Sequence, residues 1–489
     1  MRACAAYLEM SVRQHARWQR NPVCVRMPSR MDTYDILIKN GMVVTSEGEG
    51  LADVAIRGEQ VAAVAPALPD AGRETIDASG CYVFPGFIDP HVHLSLPIGR
   101  GLVSSDDFGS GTVAAACGGT TTVIDFTAQA RGVSLDKAVA NRRAEADGRV
   151  AIDYSLHLTV TDANDSTLVD VQRLAALGYP SIKLYMTYEG LMVRDEAMLR
   201  IMRAAADCGA LTLVHAENHD LVSNLTRALL EDGQTGPASH PLSRPPYVEA
   251  EATIRAIALA RATGASLYIV HVSGADALEP ILRARHSEQD VSAETCPHYL
   301  LLSDDEYSRP GFEAAKYVMT PPLRSRGNWA ALWAALADGS LDVVATDHCP
   351  WMYVSQKTAG LSRFDMIPGG IAGVETRAQL IFSEGVAAGR LTLPRFVEIM
   401  STNPARLFGL YPRKGTLVAG SDADVVVFDP RWKGTLRARQ LHQHVDYTVF
   451  EGWQVKGRPR VTISRGCVVA RDGRFVGTLG HGRFVARKR

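Results

Sequence analysis

The chain has 489 residues, 46% hydrophobic and 21% charged, enough apolar material for one large core with a smaller domain beside it. Its 52 basic residues against 53 acidic ones leave a formal charge of −1, which gives nucleic acid or an acidic membrane no field to bind and suits a small, roughly neutral substrate. The eight cysteines (Cys4, Cys24, Cys81, Cys117, Cys208, Cys296, Cys349, Cys467) include no CxxC pair, so their spacing indicates neither a disulfide framework nor a thiolate zinc site, and a reducing, cytoplasmic compartment is expected.

No stretch reaches the roughly 18 uninterrupted apolar residues of a membrane span, and the N-terminus lacks a signal-peptide core. In residues 1–30, Arg2, Arg13, Arg17, Arg20, Arg26 and Arg30 face a single acid, Glu9, without apolar periodicity. That segment reads as a transit peptide or as an upstream-extended start, and in the latter reading as a non-structural extension ahead of Met31.

From there, short alternating strands are predicted at 34–38, 53–57 and 60–64, separated by glycine-containing turns such as Asn40-Gly41. Similar material returns only near the end, at 420–428, 461–463 and 471–474. The simplest arrangement is one β-sandwich built from residues 31–84 and 415–476, with a large domain at 85–414 inserted and a basic tail at 477–489. Within the insert, eight apolar strand candidates recur at 82–88, 121–126, 152–159, 182–186, 211–214, 267–270, 291–294 and 343–345. Amphipathic helical stretches such as 196–206 and 251–262 lie between them, and buried, non-alternating strands in such an arrangement argue for a parallel sheet. Eight units point to a closed (β/α)8 barrel rather than an open doubly wound sheet. No GxGxxG follows a strand, which counts against dinucleotide binding.

The residues that carry chemistry sit where those strands end, the face of a barrel on which functional groups gather. Strand one finishes in Asp89-Pro90-His91-Val92-His93, and period-two geometry sends His91 and His93 to one side. Strand four carries Lys183, strand five ends in His215-Ala216-Glu217, strand six in His271-Val272-Ser273 and strand eight in Thr346-Asp347-His348. Singly, each is as well read as a hydrogen-bonded core group. Together, four histidines, a lysine and an aspartate read as a metal centre. Imidazole and carboxylate ligands without thiolate suit zinc, with manganese, cobalt or iron as substitutes. A Lys183 ammonium would add a third positive charge beside two dications, whereas its carbon dioxide adduct, an N6-carboxylated lysine, is an anion whose two oxygens can bridge them. The expected arrangement puts one ion on His91, His93, Lys183 and Asp347 and the other on Lys183, His215 and His271, with a hydroxide between. Two ions about 3.5 to 4 Å apart lower the pKa of water towards about 7 and polarise a substrate carbonyl. Asp347 then carries the proton from the nucleophile to the leaving nitrogen.

With these residues in place, the chain from about Tyr34 to about Val476 resembles the hydantoinase and dihydropyrimidinase branch of the amidohydrolase superfamily. The motifs that carry the resemblance are Gly86-Phe87-Ile88-Asp89-Pro90-His91-Val92-His93, Ile182-Lys183-Leu184-Tyr185-Met186-Thr187-Tyr188, Val214-His215-Ala216-Glu217-Asn218, Glu294-Thr295-Cys296-Pro297, Tyr317-Val318-Met319-Thr320-Pro321-Pro322-Leu323-Arg324 and Thr346-Asp347-His348-Cys349-Pro350, in that order. The resemblance implies opening of a five- or six-membered cyclic ureide or imide to an N-carbamoyl amino acid. It assigns the Tyr188 hydroxyl to the developing oxyanion. It gives main-chain groups near Thr320 and Gly369 to the ring's amide edge, although the family often has Ser and Asn there. Loops 94–108 and 185–192 resemble its gate loops, with Ile98, Tyr185 and Met192 lining the pocket for the exocyclic group. It also implies a homo-oligomer, a tetramer or dimer, with the tail 483–489 either a contact or without fixed structure. His157, His298 and His348 find no ligand position left and are read as core or supporting groups.

A dihydroorotase would place an arginine shortly after its HxH, where this chain has Leu94-Ser95-Leu96. Allantoinase shares Glu294-Thr295-Cys296-Pro297-His298-Tyr299, but segments 183–188 and 347–350 fit hydantoinase better. A non-catalytic assembly protein related to dihydropyrimidinase would have lost ligands that are all present here.

Overall fold

The computed structural model describes residues 33–489, so the arginine-rich opening segment lies outside the described residues. β1 (Tyr34–Thr45) pairs antiparallel with β2 (Gly48–Arg57), and β2 with β3 (Gln60–Ala65). Asn40-Gly41 does not turn the chain, contrary to expectation. It forms a bulge inside β1, where the register with β2 shifts between Ile38 and Gly41 and Asn40 takes a φ of 62°. The Asp53 carboxylate accepts the Asn40 amide there at 3.0 Å. The hairpin turn falls instead at Ser46 and Glu47, inside the Thr45–Gly48 pair. An Asn-Gly pair supplies positive φ to either device, and the partner strand decides which one forms.

β4 (Gly72–Asp77) runs parallel to β1. The stretch at 82–88, expected as one barrel strand, serves two sheets. β5 (Tyr82–Pro85) stays beside β1, and β6 (Phe87–Val92) opens the barrel. Gly86 stands between them, and a Cβ there would fall 2.1 Å from Thr121 Oγ1 and 2.9 Å from Asp424 Cβ. Only glycine lets the backbone cross between layers so tightly packed. Gly86→Ala is therefore expected to cost about 1–3 kcal/mol, the usual penalty of overpacking, read as a lower denaturant midpoint at unchanged slope.

The barrel continues with β7 (Thr120–Phe126), β8 (Asp153–Thr159), β9 (Ser181–Tyr185), β10 (Leu211–His215), β11 (Leu267–Ile269), β12 (Val291–Thr295) and β13 (Val343–Val344), parallel and in sequential order. Every residue of β6 to β13 is buried, which is why these strands read as unbroken runs rather than alternations. β13 has only two residues, and closure against β6 is made largely by side chains. Thr346 donates through its amide and hydroxyl to Asp89 at 3.2 and 2.6 Å, and the His93 amide donates to the His348 carbonyl at 2.8 Å. The buried Arg377 guanidinium spans the same seam, donating to the Ile88 and Val344 carbonyls at 2.9 and 3.0 Å.

β14 (Val425–Thr435), β15 (Gln454–Ser464), β16 (Cys467–Arg471) and β17 (Arg474–Phe475) then return to the outer sheet, β14 pairing with β5. The result is a (β/α)8 barrel with a second, nine-stranded sheet from both chain ends, curled over a core that includes Ile38, Val54, Val83, Val425 and Ile463. Lys414 joins the two bodies, its ammonium 2.9 Å from Asp153 of β8 and 2.6 Å from Asp424. The C-terminal segment makes an intramolecular contact. Val485 donates to the Tyr154 carbonyl at 2.8 Å, and the buried Arg487 guanidinium reaches the Leu156 carbonyl at 2.6 Å and Ser181 Oγ at 2.8 Å. Ser181 begins β9 and Tyr154 lies at the start of β8, so this segment closes the barrel floor, opposite the histidines.

Candidate metal centre

His91 and His93 leave the end of β6 on one side, and Asp347 follows β13 across the closing seam. Their ligand atoms lie within 4.8 Å of one another. His91 Nε2 is 3.2 Å from His93 Nε2, and Asp347 Oδ1 lies 3.1 and 3.0 Å from the same two nitrogens. A second pair forms opposite, where His271 Nε2 faces His215 Nδ1 at 2.9 Å. The two groups meet through His91 and His271, whose ring centroids are 5.6 Å apart. Lys183 on β9 stands between them. Its Nζ lies 5.1 Å from the Phe126 ring, which flanks His91 and His93, and 5.0 Å from the Tyr185 ring, which flanks His215. All four histidines and Lys183 are buried.

The arrangement of protons tests whether a cation fits. His91 Nδ1 is hydrogen-bonded to Glu294 and His215 Nε2 to Glu217 at 2.8 Å. A carboxylate only accepts, so both outer nitrogens carry a hydrogen; the inner nitrogen of His215 then presents a lone pair, and that of His91 does so when a cation takes the place of the proton it shares with Asp347. Lone pairs from several buried groups then converge with the Asp347 oxygen, an arrangement that a divalent cation satisfies. Burial lowers His93, His215 and His271 below the usual histidine value, keeping them as the neutral imidazoles that ligate metals. Burial acts on His91 in the same sense, but the Glu294 and Asp347 carboxylates outweigh it and lift the ring to about 9. The local field there favours positive charge. Burial would raise Asp347, yet His91 and His93 hold it well below the ordinary carboxylate range.

Backbone strain marks the same place. Asp347, His271 and Tyr188 adopt φ of 49°, 40° and 73°, in the left-handed region that non-glycine residues seldom enter. Tyr188 turns its hydroxyl to Thr320 Oγ1. Lys357, buried, holds the neighbouring segments together by donating to the Val318 and Gly370 carbonyls at 2.8 and 2.9 Å. Gly369 borders Thr320, a Cβ on it falling 3.6 Å from Thr320 Oγ1, and its carbonyl accepts the Trp351 indole at 2.9 Å. Tyr185 and Met192 pair by a β-bridge across the base of one loop, whereas Ile98 is 42% exposed on the other. Two open grooves of about 690 and 640 Å³ flank the first loop, and Glu189 at its tip lines both.

The amidohydrolase family model matches residues 82–469. A D-hydantoinase of Geobacillus stearothermophilus is 46% identical over 453 residues, 92% of this chain and 96% of the relative. The crystal structure of a dihydropyrimidinase from Brevibacillus agri superposes with a TM-score of 0.91 at 46% identity, covering 92% of this chain and 98% of that one. An L-hydantoinase (dihydropyrimidinase) from Arthrobacter aurescens has a TM-score of 0.85 at 33% identity, covering 93% of this chain and 100% of that one. The chain belongs to the hydantoinase and dihydropyrimidinase branch of the amidohydrolase family.

This cyclic amidohydrolase surrounds its centre with groups that sequence reasoning left without a role. Glu217 lies two residues beyond His215, so the same period-two rule that paired His91 with His93 applies to it. Burial raises its carboxyl, but the Arg244 guanidinium at 2.6 Å and His215 bring it down to about 2. Glu294 ends β12 and also accepts the Tyr268 hydroxyl at 2.8 Å. Asp106 receives His348 Nε2 at 3.1 Å, steadying the residue next to Asp347. His157, read as a core group, bonds Ser181 Oγ at 2.7 Å and the Pro90 carbonyl at 2.9 Å.

Proposed function

We propose that this enzyme opens a hydantoin or dihydropyrimidine ring to an N-carbamoyl amino acid with the help of two divalent cations. Zinc suits the donor set best. The observation that supports this most directly is the convergence of two pairs of imidazoles and the Asp347 carboxylate on a buried lysine, with His91 and His215 each held from outside by a carboxylate. His91, His93 and Asp347 would hold one ion, and His215 and His271 the other. Lys183, carboxylated on Nζ, would serve both. Burial lowers its ammonium to about 8, so near neutral pH a fraction is the free amine that can add carbon dioxide. Bound there, the cations supply Lewis acidity that acidifies water and polarises a carbonyl.

The remaining tasks fall to the chain itself. Asp347 Oδ1 is engaged with the two imidazoles, which leaves Oδ2 to take the proton of the attacking water and return it to the ring nitrogen as the C–N bond breaks. Burial pushes the Tyr188 phenol above its ordinary value, so it remains a donor, and its hydroxyl exchanges Thr320 for the developing oxyanion. Backbone at Thr320 and Gly369 aligns the ring's amide edge, and Tyr185, Met192 and Ile98 meet the exocyclic group. Tyr188→Phe is expected to lower kcat/KM by about 10²- to 10³-fold, the usual cost of one oxyanion donor. Metal content should be unchanged.

A substrate panel tests the reading as a whole: dihydrouracil, hydantoin, 5-substituted hydantoins of both hands, allantoin and dihydroorotate. The highest kcat/KM is expected on a hydantoin or on dihydrouracil. Dominance of allantoin or dihydroorotate would overturn the choice of substrate.

A further inference from the structure

Three segments far apart in sequence meet on the outside of the barrel, next to the start of β7. The helix Phe108–Cys117 ends against the loop that carries Glu375, and Gly118 makes the approach possible. A Cβ on Gly118 would fall 2.6 Å from the Glu375 carbonyl oxygen and 2.8 Å from its Cα. The third segment, residues 441–446, is a strap from the connection between β14 and β15. His442 Nδ1 lies 2.8 Å from Glu375 Oε1, and its amide donates to Oε2 at 2.6 Å. One ligand atom from each of Cys117, Glu375 and His442 lies within 4.8 Å of the other two.

We propose that Cys117, Glu375 and His442 form a structural cation site, separate from the barrel mouth, that takes a thiophilic divalent ion such as zinc. Zinc holds sulfur, nitrogen and oxygen ligands at about 2.0–2.3 Å, which spaces tetrahedral ligands about 3.3–3.8 Å apart, so Cys117 must close in on the other two while His442 Nδ1 and Glu375 Oε1, 2.8 Å apart, part slightly. The fourth position is open to water on the partly exposed His442 side. A thiolate in the set favours zinc over magnesium, calcium or manganese. The cysteine spacing gave no sign of this because the ligands come from three separate segments rather than from one CxxC.

The charge state of the cluster supports the proposal. Cys117 and Glu375 are both buried, and burial raises both acids above their ordinary values. Two acids disfavoured as anions gain from a dication that takes the place of the Cys117 proton and of the hydrogen His442 Nδ1 shares with Glu375, both protons leaving to solvent. The strap also buries the Gln443 amide with neither side-chain polar atom partnered. Its other fastenings are hydrogen bonds: the His444 amide donates to Asp106 at 2.8 Å, and Asp446 accepts the Tyr353 and Val354 amides at 2.6 and 3.1 Å. An ion at Cys117 would clip the outer sheet's connection to the barrel beside the Asp106–His348 pair.

Cobalt(II) provides the test, because a thiolate ligand adds a near-ultraviolet charge-transfer band that imidazole and carboxylate ligands do not. Full-length protein stripped with chelator and reloaded with Co²⁺ is expected to show the band. Cys117→Ser should abolish it and lower bound cobalt by one ion per chain. His442→Ala, altered at a partly exposed position, should lose the same ion and reports even where the serine variant fails to fold. Absence of the band in the parent protein, or a full complement with the band intact in either variant, overturns the proposal. Failure of the two-cation reading at the barrel mouth would instead appear as missing cobalt with the band retained.

Discussion

Lys183→Ala is expected to lower kcat/KM by at least about 10³-fold, more than the loss of a single hydrogen-bond donor or supporting residue. The same variant should lose bound metal. The reason is electrostatic: the residue stands between two sets of imidazoles, and as an ammonium it would repel cations held by them. As the proposed carbamate it would supply negative charge to both. Truncation to alanine leaves a hole of the length of the lysine stem, so acetate or propionate should restore part of the activity, whereas methylamine should restore none. Equal rescue by the amine would show that position 183 acts as a cation and would end the carbamate reading. Protein equilibrated with ¹³C-bicarbonate should show a carbamate carbon resonance that is absent from the alanine variant.

Asp347→Asn should lower kcat by about 10⁴-fold, the upper end of what general acid–base catalysis contributes. KM should change far less, because the proton relay is needed in the transition state rather than for binding. The amide keeps the size of the side chain and an oxygen to face His91 and His93, but it cannot take up a proton. Single-turnover kinetics with a chromogenic cyclic ureide would separate the chemical step from release. A variant that kept kcat within tenfold would remove Asp347 from proton transfer.

The centre was legible in the sequence to the extent that its geometry is local. His91 and His93 share a side because strands alternate, and Lys183, His215 and Asp347 could be placed because parallel buried strands read as apolar runs with chemistry at their ends. Groups fastened across long distances were harder to see. Nothing in residues 441–446 announces that His442 will meet Glu375 and His444 will meet Asp106, since a polar loop has no period to read. The run at 82–88 reads as one strand because it is apolar throughout and all but Tyr82 is buried, and the strand pairings with the crowding around Gly86 show that it belongs to two sheets. The bond of the Asn40 amide to Asp53 likewise depends on a neighbouring strand, so local sequence alone points to a turn where a bulge forms.

β5 cannot be covered on its open side until β14 arrives, and the whole barrel is synthesised in between. At about 5–20 residues per second, a growing polypeptide carries that bare edge for some tens of seconds. Unpaired edges recruit other chains. Production of this enzyme should therefore depend on holdase chaperones and on slow, cool expression, and messages broken before codon 425 should yield aggregates rather than free barrels.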